Sequence, residues 1–179
     1  MNKAAFLPRD PPFTPQDVRA RWADSGLADK LGPPMLLAGR LLTRRIEQAL
    51  AAAGLGLTPA QARALVMLHI HGPLSQQALS VCTDVEPSTV VKTLDVLERE
   101  GLAVREKNPE DRRAYIVRLT EAGRELIPRL FRLWDEVEAE LFEVLDAHER
   151  EVLQEYLGRV IVRLWTYGMV CAEPPKVES

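Results

Sequence analysis

The chain has 179 residues, of which 46% are hydrophobic and 27% charged, a composition typical of a globular protein rather than of a disordered or fibrous one. Its apolar runs are too short to cross a bilayer, and its N-terminus lacks the pattern of a signal peptide, so we expect a cytoplasmic protein with no membrane partner. The formal net charge of −3 argues against a nucleic-acid partner when the chain is taken as a whole. The charge is unevenly distributed, however, because residues 119–179 hold 13 of the 26 acidic side chains and residues 104–118 are locally basic.

Two helices are predicted in the N-terminal third. A proline-rich tail covers residues 1–14, and a short helix is predicted over residues 15–30, with Trp22 on its apolar face and Leu31-Gly32-Pro33-Pro34 as its end. Apolar residues then recur at helical spacing over residues 35–50, which predicts a long amphipathic helix.

Three short helices are predicted next, each from a local signal at its start. Thr58 and Gln61 form a capping box for the first helix, and Ser75 can cap the second. Pro87 stands at the first position of the third helix, whose buried stripe ends before Gly101.

A change of hydrophobic period follows these helices. Residues 102–119 alternate as strands do, and Asn108-Pro109-Glu110-Asp111 supplies turn residues in the middle, so we predict a two-stranded hairpin. Three helices followed by a hairpin make a winged helix-turn-helix, in which the third helix enters the major groove and the hairpin approaches the minor groove. The predicted fold class is mainly α with a small β-hairpin wing.

Two long helices are predicted to finish the chain, capped by Thr120 and by Asp146. Pro128 is expected to kink the first, because it removes a backbone hydrogen bond. Apolar pairs repeat every four residues over 152–165 in the second, which predicts a partner surface, and we expect the N- and C-terminal helices to form a homodimer. The predicted domains are an N-terminal tail with dimerisation helices, a DNA-binding domain and C-terminal dimerisation helices, over residues 1–56, 57–119 and 120–179.

Several short segments occur in the order found in one protein family. They are Leu57-Thr58-Pro59-Ala60-Gln61, Pro73-Leu74-Ser75-Gln76, Glu86-Pro87-Ser88-Thr89-Val90, Leu94-Asp95-Val96-Leu97-Glu98-Arg99-Glu100-Gly101-Leu102, Asn108-Pro109-Glu110-Asp111-Arg112-Arg113 and Leu119-Thr120-Glu121-Ala122-Gly123. Together they resemble the MarR family of bacterial regulators over about residues 35–165. The resemblance implies a homodimeric repressor that binds palindromic double-stranded DNA and responds to a small molecule. No motif of an enzyme, a metal site or a cofactor site accompanies it, so we expect no enzymatic activity and no cofactor.

The candidate DNA contacts fall on the second and third short helices and on the hairpin. The resemblance implies that one arginine of the hairpin tip enters the minor groove while an acid, Asp111 or Glu86, holds the other in place. Where the family usually has an apolar residue and a glycine before the third helix, this chain has Thr83 and Asp84, and we expect Asp84 to adopt the left-handed backbone that the turn requires. The full set of expected contacts is Ser75, Gln76, Ser88, Thr89, Lys92, Thr93, Arg105, Lys107, Asp111, Arg112 and Arg113.

The resemblance also implies an effector pocket between the dimer helices and the DNA-reading lobe. Trp22 and Arg118 are similar to residues of the urate-responsive subgroup, whereas Arg63 and Glu106 differ from it and argue against urate. Arg40, Arg44 and Arg63 are alternative anchors for an organic carboxylate or another aromatic anion.

Two other functions stay open at this point. Cys82 lies near the predicted DNA-binding helix and could make the protein a redox-responsive regulator, although the sequence shows no neighbour that would activate the thiol. A winged helix can also serve protein contact without DNA, but that function would predict acidic or apolar residues at the hairpin tip.

Overall fold

The computed structural model describes residues 14–20, 26–27, 29–108 and 115–168. The chain divides into two compact units, Met1–Arg44 and Arg45–Ser179. The elements are α1 (Pro15–Ala20), α2 (Gly32–Ala52), α3 (Pro59–His71), β1 (Leu74–Ser75), α4 (Gln76–Thr83), α5 (Pro87–Arg99), β2 (Ala103–Lys107), β3 (Tyr115–Leu119), α6 (Glu121–Leu141) and α7 (Ala147–Gly168). The mainly α fold class with a small β wing is confirmed.

The first two helices differ from their predicted bounds. Among the described residues before α2, helix is found only over Pro15–Ala20, and Gly26 adopts a left-handed backbone with φ of 70°, which ends any continuation to residue 30. Helix α2 begins at Gly32 instead of after the prolines, because Pro33 and Pro34 lie in its first turn, where no backbone N–H is needed. Trp22 lies outside the described residues.

The predicted helix caps are confirmed. Thr58 Oγ1 accepts a hydrogen bond from Gln61 N, and the Gln61 side chain accepts one from Thr58 N at 2.8 Å, which completes the capping box of α3. The side chain of Ser75 caps α4, and that of Thr120 caps α6. Asp146 and Glu149 exchange reciprocal hydrogen bonds of 2.9 Å at the start of α7.

The predicted two-stranded hairpin is present as β2 and β3, and the sequence analysis did not predict the third strand, β1, which extends it to an antiparallel sheet of order β1-β3-β2. Leu74 pairs with Val117 and Ser75 with Ile116, which brings the start of α4 alongside the middle of β3. A strand of two residues is too short to show the alternation by which strands are recognised in a sequence.

The core of the second unit joins the three short helices to the sheet. Leu65 of α3, Leu79 of α4, Leu94 of α5 and Val117 of β3 are completely buried. Helix α6 contributes a buried stripe that includes Ile127. The helix itself is continuous through Pro128, and the kink predicted at that residue stays a prediction.

The junction between the hairpin and α6 is tightly packed. Thr120 N donates to Leu102 O at 3.1 Å, and Thr120 Oγ1 donates to Gly101 O at 2.6 Å. A Cβ atom at Gly123 would lie 2.1 Å from Leu102 O, so only glycine lets α6 begin this close to the hairpin. The first turn of α6 is therefore fixed to the base of the wing.

Candidate nucleic-acid interface

Helix α5 presents one buried and one solvent-facing side. Val90, Leu94 and Leu97 are at most 3% exposed and anchor the helix in the core. Ser88, Thr89 and Lys92, which the sequence predicts as base or phosphate readers, lie on the exposed side, whereas Thr93 is half-buried. The helix offers hydroxyls and one ammonium group in its first two turns, where a helix in the major groove meets base edges and phosphates.

The turn between α4 and α5 has the predicted geometry. Asp84 is the only described residue other than glycine with a positive φ, and its values of 51° and 46° for φ and ψ are left-handed. Thr83 is buried, and its hydroxyl donates to Leu79 O at 2.6 Å. Arg63 Nη1 donates to Thr83 O at 2.9 Å and satisfies a carbonyl at the end of α4. The pair that departs from the family pattern is thus compatible with the turn.

Arg105 holds β2 against α5. Its Nη1 lies 2.7 Å from Asp95 Oδ1 and 2.6 Å from Glu98 Oε2, and its Nη2 donates to Val91 O at 3.0 Å. Glu98 also accepts from the backbone N–H of Arg105 at 2.7 Å. We expected Arg105 among the DNA contacts. Its observed partners favour a structural role, in which Arg105 braces α5 by holding it against β2, and its contact with DNA stays a prediction.

Replacing Arg105 separates these two roles. If Arg105 braces α5, Arg105→Gln lowers the free energy of unfolding by about 1–2 kcal/mol, because a partly buried charged network loses its centre. Urea unfolding measures this change, and a salt series with DNA measures phosphate contacts. A phosphate contact would instead leave stability unchanged and reduce the salt dependence of DNA affinity by about one counterion.

The other expected DNA contacts lie around these elements. Lys107 is exposed at the end of β2, while Ser75 and Gln76 are half-buried at the start of α4, where the Ser75 hydroxyl accepts from Ala78 N at 3.0 Å. The hairpin tip with Asp111, Arg112 and Arg113 lies outside the described residues. Glu86 is exposed at the N-terminus of α5 without a side-chain cap, and whether it holds a tip arginine stays a prediction.

The residues expected to bind an effector lie on different elements, and some of them already have hydrogen-bond or ion-pair partners within the chain. Arg40 and Arg44 are exposed on α2. Arg63 is engaged with the end of α4, and Arg118 pairs across the wing with Glu106. None of these observations assigns an effector to them, so their roles stay predictions.

Cys82 lacks the surroundings of a reactive thiol. Partial burial raises the pKa of the Cys82 thiol, so less of the nucleophilic thiolate is present at neutral pH than for an ordinary cysteine.

Among the described residues, no group of histidines, cysteines and carboxylates is arranged to hold a metal ion. No helix of the described residues is long and apolar enough to span a membrane.

The helix-turn-helix of α4 and α5, preceded by α3 and followed by a small antiparallel sheet, defines a winged-helix protein. A family model described as the MarR family matches residues 55–114. The chain is 30% identical over 109 residues to the uncharacterized HTH-type transcriptional regulator YcgE of Bacillus subtilis, a match that covers 61% of this chain and 71% of that protein. The chain belongs to the MarR family.

A second relative is more similar over a shorter length. The chain is 39% identical over 75 residues to the putative transcriptional regulatory protein for the hcr operon of Thauera aromatica. This match covers 42% of the present chain and 45% of that relative, so less than half of that protein's length is represented.

Two solved structures show the same fold together with DNA. The repressor CouR bound to a 23-mer DNA duplex is 29% identical, with a TM-score of 0.69, and the match covers 75% of this chain and 94% of CouR. A mutant MarR from E. coli in complex with operator DNA is 25% identical, with a TM-score of 0.67, and the match covers 74% of this chain and 94% of that one.

Proposed function

We propose that the chain is a transcriptional repressor that binds a palindromic operator in double-stranded DNA as a homodimer and is released by a small molecule. The observation that carries the proposal is the two-sided character of α5. Its apolar side is sealed into the core, and its hydroxyl and ammonium groups face solvent beside the wing. A helix held in this way can enter a major groove without unfolding its own support.

The relatives support the DNA-binding part of the proposal. CouR is named a transcriptional repressor and was solved on a DNA duplex, and the E. coli protein was solved on its operator. We transfer double-stranded DNA as the partner, and repression as the direction, to this chain.

Helix α7 supports the dimer. Its apolar side chains recur every three or four residues and remain solvent-exposed in the single chain, with exposures of 55% for Tyr156, 51% for Ile161 and 60% for Leu164. Such a continuous apolar stripe is costly to leave in water and marks a protein interface. We assign a second copy of the chain as its partner, because a two-fold dimer presents two recognition helices to a palindrome.

Salt-dependent affinity for a palindrome from the region upstream of the chain's own gene tests the proposal. We expect two chains per duplex and an affinity that falls steeply as salt rises, because phosphate contacts release counterions. Lys92→Gln is expected to weaken binding by about 5- to 20-fold, a loss of about 1–2 kcal/mol. Fluorescence anisotropy at several salt concentrations measures both quantities.

A matched control removes one charge from the same helix, beyond the first two turns that carry the proposed contacts. Arg99 lies at the C-terminal end of α5, is exposed and pairs with the neighbouring Glu100. Arg99→Gln should keep the affinity within about twofold of the wild type. Binding that ignores salt, or equal losses for the two variants, would instead favour a winged helix used for protein contact.

A further inference from the structure

Val91 lies in the first two turns of α5, among the proposed DNA contacts, although its side chain carries no charge and forms no hydrogen bonds. All of α5 is described, and of its five valine and leucine side chains only Val91 is exposed, at 41%. Val90, Leu94 and Leu97 are at most 3% exposed and supply the anchor of the helix. The side chain of Val91 is therefore available to whatever the helix binds.

Val91 has the proposed readers of α5 as its neighbours. Ser88 lies three residues before it, so the two side chains are adjacent on the helix surface. Lys92 follows it in the chain and is exposed as well. A helix that presents Ser88 and Lys92 to a major groove therefore brings Val91 to the same groove.

The position of Val91 is fixed before any partner arrives. Arg105 Nη2 donates to Val91 O at 3.0 Å, which ties this turn of α5 to β2. A valine in a helix has one strongly preferred rotamer, because its two γ-methyl groups must avoid the preceding turn. Contact with a partner therefore costs little side-chain entropy.

The charges beside Val91 disfavour a phosphate as its neighbour. Asp95, four residues further along α5, and Glu98 both pair with Arg105, at 2.7 and 2.6 Å, so two carboxylates face one guanidinium. This flank of α5 carries a net negative charge, which repels the phosphate backbone. The uncharged edge of a base pair is the part of a duplex that suits Val91.

We propose that Val91 selects thymine, by packing its methyl groups against the 5-methyl group of one thymine in each half of the palindromic operator. In the major groove this methyl group is the apolar feature among the donors and acceptors that distinguish the bases. Guanine, adenine or cytosine at the same position would place a polar edge against a valine and leave it unpaired. The proposal rests on the proposed function, because it names a base that α5 reads.

Deoxyuridine tests the proposal, because it pairs as thymidine does and lacks only the 5-methyl group. The full chain first selects its operator from random duplexes, and each thymine is then replaced together with its symmetry mate. We expect one such pair of replacements to weaken wild-type binding by about 15-fold, since two methyl contacts worth about fourfold each are lost. Val91→Ala should weaken binding of the natural operator by at least about 10-fold and then lose less than about twofold more at that position.

Val96→Ala is the matched control, because it removes the same atoms from α5 beyond the first two turns. This variant should keep the loss of about 15-fold on deoxyuridine. Alanine has a higher helix propensity than valine, so Val91→Ala is expected to fold, and thermal melting checks both variants.

Fluorescence anisotropy separates the outcomes. A wild-type chain that tolerates deoxyuridine at every position, or a Val91→Ala variant that remains as sensitive to it as the wild type, would overturn the thymine contact while leaving the proposed function intact. The same holds if Val96→Ala loses the sensitivity as Val91→Ala does. Failure of the chain to select any duplex would contradict the proposed function, and the thymine contact with it.

Discussion

Replacing both arginines of the hairpin tip, Arg112→Ala together with Arg113→Ala, is expected to weaken operator binding by about 100-fold or more. A guanidinium in the narrow minor groove meets a strongly negative potential, and each such contact is worth about 1–3 kcal/mol. One such contact from each of the two wings of the dimer amounts to about 3–4 kcal/mol near the middle of that range, which corresponds to a factor of 100 to 1,000. Anisotropy with a labelled operator measures the loss, and a thermal melt should show little change, because a hairpin tip has no core to support.

A second substitution distinguishes charge from geometry at the tip. Arg112→Lys with Arg113→Lys keeps both charges but removes the planar fork, so we expect it to recover only part of the lost affinity. The tip residues lie outside the described structure, and the expectation rests on the Asp111-Arg112-Arg113 sequence and the family resemblance. An affinity within about threefold of the wild type for the double alanine variant would remove the wing from the interface.

Gly123→Ala is expected to destabilise the fold by about 3 kcal/mol, because an added methyl group overpacks a closed site. The new Cβ would lie 2.1 Å from the carbonyl oxygen of Leu102, which belongs to the backbone and cannot rotate away. Either α6 or the base of the wing must shift, so operator affinity should fall as well. Urea unfolding measures the stability change.

The control for this prediction is a glycine in open helix. A Cβ at Gly39 of α2 would meet no atom within 4 Å, so Gly39→Ala is expected to be neutral or slightly stabilising. If Gly123→Ala proved as stable as Gly39→Ala, the tight junction between α6 and the wing would be contradicted.

Local chemistry was the part of this fold that the sequence predicted well. The capping pair of Thr58 and Gln61, and the left-handed Asp84, depend on residues within a few positions of each other, so their outcome follows from side-chain chemistry alone. The buried stripe of α5 likewise follows from its period. These features place α5 correctly before any tertiary contact is known.

Features that depend on distant partners were not predictable in the same way. The strand Leu74–Ser75 exists because β3 pairs with it across more than 40 residues of sequence, and two residues carry no period of their own. The sequence analysis named Arg105 as a DNA contact and Arg63 as an effector anchor but could not name their partners within the chain, which are Glu98 and the Thr83 carbonyl. A charge can be counted in a sequence, but its partner is set by tertiary structure.

The residues predicted to bind an effector show the same limit. The sequence analysis offered Arg40 and Arg44 on a predicted dimerisation helix, and Arg63 on the first short helix, as anchors for an anion. In the structure Arg40 and Arg44 are exposed, whereas Arg63 donates to the Thr83 carbonyl. Which of these arginines is available to an anion depends on tertiary contacts that no pattern within one helix indicates.

Methylation interference on the bound operator tests the central claim most directly, because dimethyl sulfate marks guanine N7 in the major groove and adenine N3 in the minor groove. The account predicts interference at guanines in two segments about one helical turn apart, where the paired α5 helices enter, and at adenines in the minor groove beside each segment. Interference confined to one segment, or binding that methylation of neither groove disturbs, would contradict the claim that α5 and the wing of a dimer read one duplex together.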